Sequence, residues 1–296
     1  MSSSWTWIPP DVSSRPIAVI GGGVLGRRLS MMWISTGKTL NLYEQSPEAA
    51  KSASSYIKEN VQAHSLKMGS SNPGTLNLSS TLEEAVQDAW MVIEAIPEIL
   101  DLKIPLFEKL DTLTQPDCIL ATNSSSYRSS EMIENVSRKY RVCNSHYYIP
   151  PEKNALEVMT CGHTDPAIFP FLMEQAKSVG FLPIHARVES TGLIFNRVWA
   201  AIKRECLLTM AEGVAKPEDI EMLFNSWFNV KEGPCAMMDK VGLDTVYNIE
   251  AHYIKERGLD SLPIEWLKES YLDKGLLGEK SGKGFLCGDT DGNTSR

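Results

Sequence analysis

Short apolar runs alternate with amphipathic stretches along the first half of the chain. Each run is four to eight residues long and rich in Val, Ile and Leu, as expected of strands buried on both faces. The predicted strands cover residues 17–20, 39–43, 90–93, 118–121 and 141–148, and helices are predicted at 46–64, 82–88 and 101–113. Strands that alternate with helices at this spacing predict a doubly wound, parallel α/β sheet.

The pattern changes at about residue 190, after which only helical periodicity is found. Residues 191–211 predict a long helix that is apolar around much of its circumference and is therefore expected to be buried between partners. Further helices are predicted at 217–227, 235–257 and 263–273. We place a boundary near Val188, which gives an α/β domain at 1–188 and a smaller all-α domain at 189–296.

A glycine-rich turn follows the first predicted strand. Gly21, Gly23 and Gly26 have the G-x-G-x-x-G spacing, and Val24 and Leu25 open the helix that comes next. In such a turn the first glycine makes the bend, the second lets the backbone approach a pyrophosphate, and the third lets helix and strand pack closely. The sequence therefore predicts a Rossmann-type dinucleotide site at residues 21–26.

An acidic residue at the end of the second strand indicates which dinucleotide the site binds. Glu44 lies 18 residues beyond Gly26, near the position where a carboxylate binds the adenosine ribose hydroxyls and disfavours a 2′-phosphate. This favours NAD over NADP. Two alternatives remain open at this point: Arg27 or Arg28 could accept a 2′-phosphate, and a Rossmann-like domain can lack a cofactor altogether.

The composition argues against several classes of function. The 296 residues carry a net charge of −8, which argues against nucleic acid or an anionic membrane as the main partner. Six cysteines without a C-x-x-C pair indicate reduced thiols and give no support for a metal site. The first ten residues resemble neither a signal nor a transit peptide, so a cytoplasmic location is expected, and both chain ends are expected to be disordered.

Residues capable of chemistry gather where the predicted strands end. Glu94 and Glu98 follow the third strand, residues 123–126 (Asn-Ser-Ser-Ser) follow the fourth, and His146 lies near the end of the fifth. Ligands of doubly wound sheets bind at the carboxyl ends of the strands. We therefore expect these side chains to face one cleft.

Six ordered motifs give the chain a family resemblance. They lie at residues 94–98, 122–126, 146–158, 192–197, 241–244 and 280–285. In this order they resemble the 3-hydroxyacyl-CoA dehydrogenase family, including its L-gulonate 3-dehydrogenase (lambda-crystallin) branch, over residues 15 to 288. The resemblance implies an NAD-dependent enzyme that interconverts a secondary alcohol and a ketone, with a small-molecule substrate and a homodimeric assembly.

The resemblance also implies roles for individual residues. His146 matches the catalytic base, Glu157 the carboxylate that orients it, Ser125 the serine at the substrate oxygen, and Asn196 the asparagine that completes the oxygen site. The residues matched to the cofactor side are Glu98, Lys103 and Asn123. An alcohol releases hydride only as its O–H proton leaves, and imidazole suits that proton transfer because its pKa lies near the working pH.

Three departures from the family pattern keep other functions open. Ile99 replaces a usual Asn, the segment from His146 to Glu157 is one residue shorter than in the acyl-CoA enzymes, and residues 46–80 hold few cations for a CoA nucleotide. One alternative is therefore a dehydrogenase of a free hydroxy acid or another alcohol without CoA. A second alternative is a non-catalytic, crystallin-like protein that binds NAD.

Overall fold

The computed structural model describes residues 7–288. The chain divides into two compact units after Ile194. The boundary that the sequence predicted near Val188 thus falls within the first unit. The predicted disorder of both chain ends concerns mainly residues 1–6 and 289–296, which lie outside the described residues.

The first unit is built on one eight-stranded sheet. Its strands are β1 (Ile17–Ile20), β2 (Leu40–Tyr43), β3 (Leu76–Ser79), β4 (Met91–Glu94), β5 (Ile119–Thr122), β6 (Val142–Tyr147), β7 (Ala155–Thr160) and β8 (Leu182–Ala186). The spatial order is β3-β2-β1-β4-β5-β6-β7-β8. Strands β1 to β6 are parallel, β7 pairs antiparallel to β6, and β8 is parallel to β7.

Helices cover both faces of this sheet. They are α1 (Val24–Ile34), α2 (Pro47–Lys67), α3 (Leu82–Val86), α4 (Leu100–Leu113) and α5 (Ile168–Ser178). Strand β1 shows why two layers form: Ile17 and Val19 pack into a core with α1, α2 and α5, whereas Ala18 and Ile20 pack into a second core with α3 and α4. The run is apolar at every position because both of its faces are buried. The doubly wound α/β class predicted from the sequence is confirmed.

Several elements differ from the sequence prediction. Strands β3 and β8 and helix α5 were not predicted. Both strands are edge strands with exposed or polar positions, and β8 contains Pro183, so neither shows the fully apolar run of a central strand. The antiparallel course of β7 was also not predicted. Only seven residues (148–154) separate it from β6, too few for the crossover that a parallel pair requires.

The second unit is helical. Its helices are α6 (Phe195–Ala211), α7 (Pro217–Phe228), α8 (Pro234–Val241), α9 (Leu243–Arg257) and α10 (Leu262–Ser270). They enclose a core that includes Leu207, Met238 and Leu267. Helix α6 begins later than predicted because Gly192 and Leu193 have positive φ angles of 74° and 53°. Its Val198 is 55% exposed, so α6 is not covered around its circumference within this chain.

Two of the six sequence motifs shape this second unit. Gly242, with a φ of 96°, separates α8 from α9, which the sequence had predicted as one helix. Gly284 lies against the Asp239 carboxylate so closely that a Cβ would come within 2.1 Å of its Oδ1. That carboxylate accepts hydrogen bonds from the backbone N–H groups of Phe285 and Leu286. Both motifs therefore have a structural role in the second unit.

Two further sequence features can be compared with the structure. All six cysteines are free, and five of them are buried. Within residues 7–288, no helix combines the length and the apolar character that crossing a membrane would need.

Candidate active site

The glycine turn joins β1 to α1 and is shaped by backbone contacts. Gly21 has a φ of 106°, which only glycine adopts readily, and its N–H donates to the Tyr43 carbonyl at 2.8 Å. A Cβ on Gly26 would lie 1.8 Å from the Gly21 carbonyl oxygen, whereas a Cβ on Gly23 would meet nothing within 4 Å. The turn is therefore closed on its protein side and open at Gly23.

Helix α1 starts at this opening without a side-chain cap and with no acidic residue in its first turn. The amides around Val24 and Leu25 are thus available to an anion, and the helix dipole favours negative charge there. A cleft of about 910 Å³ adjoins the turn, and Glu44 and Leu102 are among the residues that line it. An open glycine, uncapped amides and a carboxylate on one cleft fit a dinucleotide.

Glu44 is held in place at the end of β2. Its carboxylate accepts the Gly22 N–H at 2.7 Å and the Ser46 N–H at 3.0 Å, which still leaves lone pairs for ribose hydroxyls. Arg28 donates instead to the Pro150 carbonyl and to Glu152, at 2.7 and 2.5 Å. The Arg27 guanidinium lies 4.6 Å over the ring of Tyr56. These positions favour NAD over the 2′-phosphate alternative.

His146 lies on β6, with 8% of its surface exposed. Its Nδ1 is 3.2 Å from the Asn123 carbonyl oxygen. A carbonyl can only accept, so Nδ1 carries the hydrogen and Nε2 keeps a lone pair in the neutral ring. Burial lowers the pKa of His146, against the opposing effects of the Asn123 carbonyl, Glu157 and Glu98. These contacts favour a neutral imidazole with Nε2 as its accepting atom.

Asn123 fixes the position of His146 and of strand β6 around it. Besides the Nδ1 contact, its side-chain oxygen accepts the Tyr147 N–H at 2.8 Å, and its own N–H donates to the Glu94 carbonyl at 3.0 Å. The sequence had placed Asn123 on the cofactor side. In this structure its two oxygens fix His146 and the strand around it, because β5 ends beside β6, and the cofactor contact stays a prediction.

Glu157 lies directly opposite His146 in the β6–β7 ladder and is 2% exposed. One carboxylate oxygen accepts the Tyr148 hydroxyl, and the other accepts the Ile194 N–H at 2.6 Å. The sequence predicted that Glu157 fixes the tautomer of His146. The structure gives that role to the Asn123 carbonyl, and Glu157 acts on the imidazole through its charge.

The serine loop after β5 is bound by Glu98. One oxygen of that carboxylate accepts the Ser124 hydroxyl at 2.5 Å and the N–H groups of Ser125 and Ser126 at 3.2 and 3.0 Å. Burial acts to raise the pKa of Glu98, but the Ser124 hydroxyl and the Lys103 charge lower it overall. Ser124 is turned inward, 2% exposed. The half-buried Ser125 hydroxyl has no hydrogen-bond partner among the described residues, which keeps it available to a substrate.

Lys103 joins two carboxylates beneath this loop. Its Nζ is 2.6 Å from Glu94 and 3.2 Å from Glu98, and Thr122 donates to the other Glu94 oxygen at 2.6 Å. The Lys103 side chain is only 1% exposed. The resemblance assigned Lys103 to the cofactor side, which stays a prediction; the contacts in this structure pair it with the two carboxylates. It acts by holding Glu98.

Replacing Lys103 by methionine is expected to lower the free energy of unfolding by about 3 to 5 kcal/mol, because the buried Glu94 carboxylate loses its partner. Urea denaturation followed by circular dichroism measures this. Lys109→Met on the exposed side of the same helix is the matched control and should change the stability by less than about 0.5 kcal/mol. Equal stabilities of the two variants would contradict the role of Lys103.

The sequence did not point to Tyr148, and the structure does not test the predicted role of Asn196. Tyr148 follows His146 by two residues, and i and i+2 positions of an extended chain share a face, so the spacing alone could have found it. Asn196 is the second residue of α6 and belongs to the second unit, and its contribution to the oxygen site stays a prediction. No cluster of three His, Cys, Asp or Glu side chains suited to a metal occurs within residues 7–288.

Comparisons with known proteins cover nearly the whole chain. Residues 16–189 match the family described as 3-hydroxyacyl-CoA dehydrogenase, NAD binding domain, and residues 192–287 match its C-terminal domain. The chain is 30% identical to the probable 3-hydroxybutyryl-CoA dehydrogenase of Bacillus subtilis, over 92% of this chain and 96% of that one.

The chain is also similar to two other known proteins. The chain is 46% identical over 151 residues to the 3-hydroxyacyl-CoA dehydrogenase-like protein LAM1 of Cochliobolus heterostrophus; the match covers half of this chain but only 32% of that protein. A solved diketoreductase, described as acting on dicarbonyl compounds, aligns with a TM-score of 0.76 and 28% identity over 93% of this chain and 99% of that one.

Proposed function

Because the chain belongs to the 3-hydroxyacyl-CoA dehydrogenase family of NAD-dependent oxidoreductases, we propose that it interconverts a 3-hydroxyacyl-type alcohol and its ketone. The observation that carries the proposal is the buried His146, whose Nδ1 is held by a carbonyl so that Nε2 is free to take a proton. This base lies on the same sheet, and near the same carboxyl edge, as the open glycine turn that fits NAD.

The chain's own residues supply the proton chemistry, and bound NAD supplies the hydride acceptor. In oxidation, Nε2 of His146 takes the alcohol proton, and the ring becomes an imidazolium. The Asn123 carbonyl keeps the Nδ1 hydrogen bond, and the Glu157 carboxylate stabilises the new positive charge. The Ser125 hydroxyl donates to the substrate oxygen as its charge develops. Reduction runs the same steps backwards.

A second candidate keeps this chemistry but uses a substrate without CoA. Around α2 the cations are few, and Lys51, Lys58 and Lys67 are all exposed. A nucleotide with several phosphates prefers more charge-assisted contacts. The likeness to a diketoreductase that acts on dicarbonyl compounds supports this candidate.

Three substrates with one acetoacetyl group separate the candidates: acetoacetyl-CoA, its N-acetylcysteamine thioester, and free acetoacetate. NADH oxidation is followed by absorbance. If the CoA ester has the higher kcat/KM by about tenfold or more over the truncated thioester, the nucleotide is recognised. Equal values favour a substrate without CoA. Absence of turnover with all three and with a panel of dicarbonyl compounds, by protein that binds NADH, would overturn the proposal.

We also infer that the protein assembles as a homodimer through its second unit. Helix α7 exposes a run of large apolar side chains, with Met222 63%, Leu223 66%, Trp227 84% and Phe228 60% exposed. Monomers rarely expose such a cluster. A second copy of the chain, presenting the same face, suits it because homodimer interfaces are self-complementary and apolar.

Light scattering should therefore give twice the chain mass of 32.9 kDa. Trp227→Glu is expected to shift the mass to a single chain, because a charge would be buried at the contact. Lys255→Glu, at an exposed position of α9, is the control and should leave the mass unchanged. A wild-type mass of one chain would refute the homodimer.

A further inference from the structure

The Glu157 carboxylate is adjacent to the base but occupied by other donors. Its two oxygens receive the Tyr148 hydroxyl and the Ile194 N–H, while His146 uses the Asn123 carbonyl for its Nδ1 hydrogen. A buried carboxylate opposite an imidazole acts on it through its charge, and each donor on the carboxylate offsets part of that charge. A donor on Glu157 that also contacts the ring can therefore moderate the charge that the imidazole meets.

Tyr148 is placed to do this. Its ring packs edge-on against the His146 ring, with centroids 4.9 Å apart and an interplanar angle of 61°. Its hydroxyl then reaches one oxygen of Glu157. Burial, followed by the hydrogen bond to Glu157, raises the pKa of Tyr148, so the phenol stays a protonated donor throughout the working pH range. One residue thus contacts both members of the pair.

We propose that Tyr148 is a positioning residue for His146: it packs against the imidazole and donates its hydroxyl to Glu157, so that it holds the ring and moderates the carboxylate charge that the ring meets. The assignment rests on the proposed function only in naming His146 as the base. The hydrogen bonds that carry it are properties of the protein without substrate.

The charged groups around His146 determine the direction in which its pKa changes when the Tyr148 hydroxyl is removed. Glu157 on β7 and Glu98 before α4 both favour the imidazolium, and burial opposes them with the larger effect. Without the phenol hydroxyl, Glu157 loses the hydrogen of Tyr148, whose partial positive charge offsets part of the carboxylate charge near the ring. The imidazolium then gains stability, so the pKa of His146 rises and a smaller fraction of the base is neutral at a given acidic pH.

Tyr148→Phe isolates the hydroxyl because the ring packing is kept. In kcat/KM profiles for alcohol oxidation from about pH 5 to 9, the acid limb of the wild type should lie below the ordinary histidine value of about 6.5. The acid limb of the Tyr148→Phe profile should lie about one pH unit higher than that of the wild type. At pH values above that limb, kcat/KM should be near the wild-type value. Tyr147→Phe is the matched control, because Tyr147 is 1% exposed and points into the opposite core. Its limb should not move.

A titration of His146 by NMR in substrate-free protein keeps this test separate from the proposed function. A higher imidazole pKa in Tyr148→Phe supports the positioning role even if the tested substrates are wrong. An unchanged imidazole pKa overturns it. A uniform loss of activity at all pH values, with an unshifted titration, also overturns it, since that pattern means that Tyr148 only supports the fold.

Discussion

Replacing His146 by glutamine is expected to lower kcat for alcohol oxidation by about three orders of magnitude, the usual contribution of a positioned general base. Glutamine approximates the size of imidazole and can still donate to the Asn123 carbonyl, so the strand around it should hold. It cannot take a proton from the alcohol. The loss should appear in kcat, because the interaction is needed only as the proton leaves.

Steady-state NADH absorbance with the accepted substrate measures this loss. Titration of NADH fluorescence should give the wild-type affinity, since His146 lies on β6 and the glycine turn follows β1. His163→Gln, at an exposed position outside the site, should keep full activity. A His146→Gln enzyme with more than about a tenth of the wild-type kcat would exclude His146 as the base.

Gly26→Ala is expected to abolish NAD binding and to lower the stability of the first unit. The added methyl would lie 1.8 Å from the Gly21 carbonyl oxygen, which is rigid backbone, so α1 must move away from the turn. Overpacking of this kind costs about 1 to 3 kcal/mol or more. The uncapped amides of α1 would no longer face the opening at Gly23.

Gly23→Ala is the matched control because a Cβ there meets nothing within 4 Å. Its unfolding temperature should equal that of the wild type. Its NADH affinity should still fall, by about tenfold or more, because the methyl occupies the space through which the backbone approaches a pyrophosphate. Thermal unfolding and NADH fluorescence titration distinguish the two variants. Wild-type NADH affinity in Gly26→Ala would contradict the assignment of this turn to the cofactor.

The sequence was sufficient for the parts of the molecule that depend on local pattern. Strand β1 is apolar at all four positions, which is typical of a sheet covered on both faces. The glycine spacing and Glu44 predicted a dinucleotide site where the structure has an open turn beside a cleft, and the ordered motifs pointed to His146. Edge elements such as β8 and α5 were missed because their burial depends on neighbours far away in the chain.

Partners within the site could not be derived in the same way. The sequence suggested Glu157 as the group that holds the histidine, but a backbone carbonyl has that role, and no residue pattern encodes where a carbonyl points. Lys103 was assigned to the cofactor side by the family resemblance alone. Its position on the inner face of α4, visible only in the fold, makes it a buried support.

The antiparallel pairing of β6 with β7 bears on how this site tolerates insertions and deletions. His146 and Glu157 face each other because of the ladder register, and residues 149–154, which follow Tyr148, close the hairpin. Residues gained or lost in that loop leave the two side chains opposite each other. The shorter spacing noted in the sequence is therefore compatible with an intact pair. The loop, which carries Ile149 and the Glu152 partner of Arg28, can be remodelled for a different substrate without rebuilding the proton-transfer machinery.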